Sequence, residues 1–516
     1  MLGKTTSWWP AMCLITERYA PQISGVLSCF DRIVIQGTLP GLCYADGMTG
    51  YLHSHEIRIF DYPRFAEPFR DELRENAEKL AAENDIEIEF VRNHEIRKEE
   101  LIQQILKKRG DRPGLVHILS AMESCPTYKP WYDKKNNKAY LKPDQGRCLH
   151  YYFYFIDADL GLCYVRVPTW CPFRLQIYFN GHSWLAVQLR KKGIQFTLID
   201  NAFTAIDGWD KAQLLADQLN GRAIHKLLNR FARRFCPVIR HFGLEYHWSL
   251  MQTEYATDIV FLHQSELQDI YGTLTRTAIH TVKPDNIATF LGRKLNGNYQ
   301  DEMGNDFHIR IEGTRIKHHM GPVLIKMYDK FHLILRIETT TNDVSFFKHY
   351  REVEQRDGTR IVKWAEMKKG IYSLGPLRQV LAAANRRYLE FISAIDDSSA
   401  GIRYLNKISR TVFDNDHAYR GFNFFDDEDQ ALFETIARGE FNIRGFQNKH
   451  LRQHLRGKTG TQASRILKRL RLHGLVKKIA GTYRYYLTKV GRLVLAAGFR
   501  LKQVLLVPEL ARETAE

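Results

Sequence analysis

No Cys-x-x-Cys pair and no Cys/His quartet of zinc-finger spacing occurs in the 516 residues, although eight cysteines are scattered along them. Their positions (13, 29, 43, 125, 148, 163, 171 and 236) exclude a zinc-ribbon scaffold or a disulfide framework. The thiols are expected to be reduced and packed as small apolar groups. No run of about 18 apolar residues is present either. The best stretch, near the C-terminus, is cut by Arg492, Arg500 and Lys502, so no membrane-spanning helix is expected. The opening residues MLGKTTSWWP lack the apolar core of a secretion signal, and a cytoplasmic protein is expected. No glycine loop of phosphate-binding spacing follows an expected strand, which removes the common nucleotide-cofactor folds. Gly37 and Gly41 read instead as turn residues. Low-complexity tracts and internal repeats are also missing.

What is present is a globular composition, 44% hydrophobic and 26% charged, in a chain too long for one core. Roughly two to four domains are expected. Positive charge is concentrated at one end. Residues 441–516 hold seventeen Lys and Arg against three acids, Glu509, Glu513 and Glu516. Fourteen of the seventeen net positive charges therefore lie there, and three remain for residues 1–440.

The order of elements in that region matters more than its charge. Helices are expected over 427–438, 448–455 and 461–473, followed by strands over 475–479 and 483–487 about the Gly481-Thr482 turn. This order spells a winged helix-turn-helix, with its basic residues placed to meet a phosphate backbone. In the third helix Ile466, Leu467 and Leu470, with the later Leu475, form the buried stripe. Thr461, Gln462, Ser464, Arg465, Lys468 and Arg469 form the opposite face. Gln and Arg can pair bidentately with base edges, whereas Lys mostly finds phosphate. Thr459 or Thr461 is suited to cap this helix and Gly474 to end it. Lys477, Lys478, Tyr483 and Arg484 fall on the wing. The expected partner is DNA, with RNA an alternative, and homodimerisation is compatible with such a module. Residues 464–493, with their Gly-Leu-Val-Lys-Lys turn and Leu-Thr-Lys-Val-Gly ending, resemble the MarR-like winged helices of bacterial regulators.

The expected fold class is α+β multidomain: an N-terminal α/β unit, a central mixed β-sheet core and the C-terminal winged helix-turn-helix. Residues 1–125 alternate strand (32–38, 86–91, 115–119) with helix (64–82, 98–108), which argues for a small parallel α/β unit. Residues 126–240 form an α+β segment containing a loop over 125–145 dense in Lys, Tyr, Pro and Asn. There Tyr128, Lys129, Trp131, Lys134 and Lys135 are candidates for contacts to a single strand, through stacking and charge. An exposed loop on a sheet face is the equally weighted alternative. Asp157 and Asp159 read as turn residues, and His117, His182 and His241 as packed or surface histidines. A β-rich core over 241–395, a linker over 396–424, the winged helix over 425–500 and a tail over 501–516 complete the layout.

The central core holds the candidate chemistry. Glu254 and Asp258 are four apart, so on a strand both point to one face. Downstream come Gly313-Thr, then Tyr328-Asp329-Lys330, then Arg336-Ile337-Glu338. Carboxylates gathered by a sheet make an oxygen-rich site for Mg²⁺ or Mn²⁺. A metal beside a phenol suits transesterification on a phosphodiester. These motifs resemble the catalytic core of rolling-circle replication initiators of the plasmid and filamentous-phage type. The resemblance implies Tyr328, Lys330 and Arg336 as catalytic residues and Glu254, Asp258 and Glu338 as metal ligands. The sequence departs from that pattern in carrying Glu254 where Asp is usual. It also has a polar residue inside His53-Ser54-His55, and His318 and His319 are adjacent. A purely structural alternative makes Arg336 and Glu338 a sheet-edge pair and Tyr328 a half-buried aromatic. In length and layout the chain also resembles a widespread bacterial family labelled by a MarR-like tail, a likeness that supplies no mechanism. The functional expectation is a mobile-element or replication-type protein that nicks and joins DNA with a metal at a site its winged helix chooses. The alternative is a non-enzymatic binder, either a transcriptional regulator or the protein part of a ribonucleoprotein.

Overall fold

A computed structural model describes residues 14–92, 98–295, 299, 301–310, 313–396, 408–415, 417–455 and 457–499. Cys13, the expected tail 501–516 and part of the expected linker (397–407 and 416) lie outside the described residues. The chain is mixed α+β, with several helices and a large mixed sheet of eleven strands. In chain order the strands are β1 (Ile23–Thr38), β2 (Ile88–Phe90), β3 (Gly114–Asp133), β4 (Lys138–Asp157), β5 (Gly161–Pro168) and β6 (Leu175–Phe179). A separate hairpin of β7 (Phe196–Ile199) and β8 (Ala202–Ile206) follows. Then come β9 (His247–Phe261), β10 (Met303–Arg310), β11 (Gly313–Met320), β12 (Val323–Lys330) and β13 (Ile334–Thr341). The chain divides into two compact units.

The unit made of Leu27–Ala256 and Thr340–Val380 carries the run β1-β6-β5-β4-β3-β2. Here the expected parallel arrangement is corrected. Only β2 against β3 is parallel within this run, and the other pairings are antiparallel. Connection length explains the difference. The helix Lys98–Arg109 supplies the crossover that β2 and β3 need, whereas β3 returns as β4 after four residues and must pair antiparallel. The expected loop over 125–145 is the outer half of this hairpin, in register from Tyr128↔Pro143 to Asp133↔Lys138. The expected boundary at 125/126 therefore falls inside β3. Tyr128 and Leu141 are buried there, so their contacts with the core outweighed a composition typical of loops. Gly37 is a strand residue and not a turn residue. A Cβ at that position would lie 2.5 Å from the Trp248 ring, and only glycine admits the contact. Gly41, at φ +82°, does occupy a turn conformation.

The second unit holds Met1–Val26, Thr257–Thr339 and Leu381–Glu516. Its strands β10, β11, β12 and β13 follow one another in the sheet. Burial alternates along β12, while every residue of β13 is buried, as in a strand covered on both faces. Toward the C-terminus, helices Asp427–Ile436, Gly439–Arg444, Asn448–His454 and Gly460–Leu472 precede the hairpin Val476–Lys478 with Tyr485–Leu487 and the helix Lys489–Phe499. One apolar cluster unites them, with Leu432, Phe433, Phe446, Leu451, Leu467, Leu470, Leu475 and Leu487 at its centre. Ile408 and Phe422 belong to the same cluster, so the stretch expected as linker contributes to this core. Gly474, at φ +73°, stands just past the helix end, where a left-handed residue closes the last turn.

Candidate nucleic-acid interface and carboxylate pairs

The helix Gly460–Leu472 begins at a complete capping box. Thr459 Oγ1 accepts from the Gln462 amide at 3.3 Å, and Gln462 Oε1 accepts from the Thr459 amide at 2.8 Å. Its apolar stripe of Ala463, Leu467 and Leu470 faces the core, and Thr461, Gln462, Ser464 and Arg465 are exposed. The six side chains expected to meet a partner are therefore not equivalent. Gln462 is engaged by the cap, and Ser464 Oγ accepts from Asn448 Nδ2 at 2.9 Å. Thr461 and Arg465 stand on the exposed face.

Lys468 and Arg469 depart further from expectation. Lys468 Nζ lies 2.9 Å from Asp414 and 5.4 Å from the centre of the Tyr419 ring. Arg469 binds Asp429 bidentately at 2.6 and 2.8 Å. It also donates to the carbonyls of Arg420 and Gly421, and it stacks on Phe422 at 3.8 Å. With side chains 12% and 2% exposed, Arg469 and Asp429 form a buried clamp. Arg469 is thus a residue of the module's interior, because an acid 40 positions away in sequence claims its guanidinium. On the hairpin, Lys477, Lys478, Tyr483 and Arg484 are all exposed, and Lys478 Nζ sits 5.2 Å from the Tyr483 ring centre.

The β3–β4 hairpin offers a second basic and aromatic surface. Lys129, Trp131, Lys134 and Lys135 are exposed, with Trp131 at 43%. Lys142 Nζ covers one face of the Trp131 ring at 3.8 Å. Tyr128 is corrected: it is 8% exposed, and its hydroxyl donates to the Leu42 carbonyl at 2.6 Å, so no ring face is free for a base. Deeper on the same hairpin, Glu123 gathers Lys98, Tyr152 and Arg166 within 2.7–2.9 Å. Burial opposes ionisation of Glu123, but hydrogen bonds from these three residues outweigh it and hold the carboxyl down at about 2.

Asp258 and Glu338 of the central core each have a cationic partner. Arg336 donates to both Asp258 oxygens at 2.6 Å, and both side chains are essentially fully buried. This bidentate partner balances the Asp258 charge, which fits a structural pair better than a metal ligand. Glu338 accepts from Lys326 Nζ at 2.6 Å and from the Tyr328 hydroxyl at 2.7 Å. Alternation along β12 places Lys326, Tyr328 and Lys330 on its less buried face. Lys330 Nζ lies 4.9 Å from the Phe331 ring centre. His318 is buried between Asn305 and the Tyr388 hydroxyl, and burial pushes its pKa down to about 3, so it is neutral.

In the other unit a carboxylate oxygen of Asp31 and one of Glu254 lie within 4.8 Å of each other. The helix Gly181–Lys191 explains how Asp31 is held. Asn180 caps that helix with its side-chain oxygen and donates from Nδ2 to Asp31 Oδ1 at 2.9 Å. Asn201, in the turn of the β7–β8 hairpin, donates to both Asp31 oxygens at 2.6 Å, and His182 Nδ1 lies 3.3 Å away. A Cβ at Gly181 would fall 2.2 Å from the Phe30 carbonyl oxygen, so glycine lets the helix start approach β1 this closely. Two carboxylates at this spacing suit a hard cation such as Mg²⁺ or Mn²⁺. Asp31 and Lys326 were not singled out in the sequence. An acid inside the apolar run Leu27-Ser-Cys-Phe-Asp-Arg-Ile-Val-Ile35, and the period-two spacing of Lys326, Tyr328 and Lys330, were the signals for them. Asp157 acts as a turn residue, accepting from the amides of Asp159 and Leu160 while Arg230 binds its second oxygen.

No family model, no curated protein and no solved structure matches the chain.

Proposed function

We propose that this chain binds nucleic acid through the exposed face of helix Gly460–Leu472 and the hairpin that follows it, a winged helix-turn-helix in layout. The observation that carries this reading is the capped first turn of that helix. It presents Thr461 and Arg465 outward while Ala463, Leu467 and Leu470 anchor it, and Lys477, Lys478, Tyr483 and Arg484 are exposed on the adjoining ribbon. Arg465 supplies base or phosphate contacts and the ribbon supplies phosphate contacts. The clamp of Arg469 on Asp429 fixes the angle at which the helix is offered. DNA is the favoured partner. Fluorescence anisotropy of labelled duplex, single-stranded DNA and RNA tests this with the full chain at about 50 to 200 mM salt, where log affinity should fall linearly with log salt. Arg465→Ala should weaken binding and make that slope shallower by about one. Binding insensitive to salt, or none to any of the three, sinks the reading.

A second reading, strand cutting and joining, is favoured by the hydrogen bond from Tyr328 to Glu338. A carboxylate in that place can take the phenol's proton as the phenolic oxygen attacks phosphorus. The P–O bond to the leaving strand then breaks, and the departing oxygen collects a proton from solvent. Mg²⁺ or Mn²⁺, when bound, would neutralise phosphate charge. Incubation with single-stranded and hairpin DNA in Mn²⁺ should leave a covalent protein–DNA adduct that Tyr328→Phe abolishes. Binding without an adduct across several DNAs and both metals leaves the chain a binder, as a regulator or the protein part of a ribonucleoprotein.

A further inference from the structure

Within the unit that holds the C-terminal module, a cavity of about 570 Å³ opens beside helices Pro284–Phe290, Gly439–Arg444 and Asn448–His454. Its charge is lopsided. The two carboxylates in its lining, Asp285 and Glu440, both contact Arg438, Glu440 at 3.1 Å. Arg293, Lys294, Arg387, Lys449 and Arg484 complete the charged lining, so six cations face two acids. Two histidines of the lining report the resulting potential. Burial lowers the pKa of His450, and Lys449, Arg484 and Lys294 lower it further against Glu440 alone. Burial and then Arg438 depress His454, with Glu440 again opposing.

Arg387 is the most telling member. It comes from the helix Leu374–Asp396, its Nε donates to the Phe290 carbonyl at 2.8 Å, and its terminal nitrogen lies 3.4 Å from where a Gly292 side chain would begin. Burial lowers the pKa of this guanidinium, with only Glu390 opposing. A cation held partly away from water favours an anion beside it.

We propose that this cavity binds a small phosphate-bearing anion carrying several negative charges, of the polyphosphate or nucleoside polyphosphate class. Its volume is that of a small-molecule pocket, within about 300–1,000 Å³. The backbone of a duplex instead runs over an open surface with one charge per phosphate. Guanidinium groups match phosphate oxygens in geometry, and clustered phosphates can engage Arg293, Arg387 and Lys449 together. The site goes beyond the proposed nucleic-acid face and shares only Arg484 with it. A bound anion therefore takes a positive charge from the ribbon, and the phosphate-bearing ligand and duplex should oppose each other modestly.

Titration calorimetry of the full chain with pyrophosphate and with ATP, against sulfate at equal ionic strength, tests the assignment. Equimolar binding of pyrophosphate or ATP at least tenfold tighter than sulfate is expected. ATP tighter than pyrophosphate would identify a nucleotide site, and the reverse an inorganic polyphosphate site. Arg387→Met should abolish binding. The exposed double substitution Lys294→Gln with Lys449→Gln should weaken it at least tenfold without touching the interior, while duplex affinity stays within twofold. Arg465→Ala should leave pyrophosphate binding unchanged. Pyrophosphate and ATP no tighter than sulfate, or indifference to the double substitution, overturns the proposal. An equal loss of duplex and pyrophosphate in the double variant also overturns it, making the cavity part of the nucleic-acid surface. Pyrophosphate binding in a chain that binds no nucleic acid would sink the earlier reading and leave this one standing.

Discussion

Replacing Arg469 by Ala should unfold the C-terminal module locally, while replacing Arg465, one turn earlier on the same helix, should not. The magnitude follows from what Arg469 holds. It makes two charge-assisted bonds to Asp429, at 2.6 and 2.8 Å, and donates to two backbone carbonyls at 3.0 and 2.7 Å. Among the described residues Asp429 would retain Arg420 at 3.4 Å and the Asn423 amide at 3.1 Å. Breaking a buried pair from one side costs about 3–5 kcal/mol, and the two remaining donors place this case near the lower end, at about 3 kcal/mol. That is roughly a hundredfold in a local opening equilibrium. Arg465 is exposed, and its removal should stay within about 0.5 kcal/mol. Hydrogen exchange of amides in 427–455 and 460–475, followed by mass spectrometry of the full chain, reads both variants. Arg469→Lys should rescue little, because an ammonium cannot span both carboxylate oxygens. Unchanged exchange in Arg469→Ala, or equal acceleration in both variants, refutes the assignment of Arg469 to the interior.

The Glu123 cluster gives a pH prediction. The folded carboxyl sits at about 2, below its ordinary 4.5, so its contribution is complete above the unfolded value and is lost as pH falls toward 2. Urea midpoints between pH 7 and pH 3 should drop less for Glu123→Gln than for the native chain, the difference approaching about 3 kcal/mol at full loss; parallel slopes would contradict this. On the β3–β4 hairpin, Trp131→Ala should weaken single-strand binding by about 1–3 kcal/mol if that surface is used. Tyr128→Phe should spare binding and lower stability by about 1 kcal/mol through the lost bond to Leu42. The opposite ranking in anisotropy and thermal melts would place the contact on Tyr128.

Much of the secondary structure was legible because its causes are local. The capping box at Thr459, the stripe of Leu467 and Leu470, and the glycine at 474 all belong to one helix and its two ends. The failures have non-local causes. Arg469 looks like its neighbours until Asp429, 40 residues earlier, closes on it. The hairpin over 125–145 has the Pro, Asn and Lys of a loop, but Tyr128 and Leu141 reach a core built elsewhere in the chain. Glu254 and Asp258 were expected to act together on one strand, yet Arg336 claims Asp258, and Asp31 approaches Glu254 from another strand. Periodicity shows which way a side chain points and is silent on which partner gets there first.

The clamp on Arg469 also bears on where this module can be severed. Its partners Arg420, Gly421 and Phe422, and Asp414 opposite Lys468, all precede residue 425, and Ile408 enters the same apolar cluster. A fragment begun at 425 would leave a guanidinium without two of its acceptors and an aromatic slot open to water. A fragment that keeps this apolar cluster whole must include Ile408 and Phe422. A protease probing the native chain should therefore spare Arg420–Phe422, which Arg469 holds through two carbonyls and a ring.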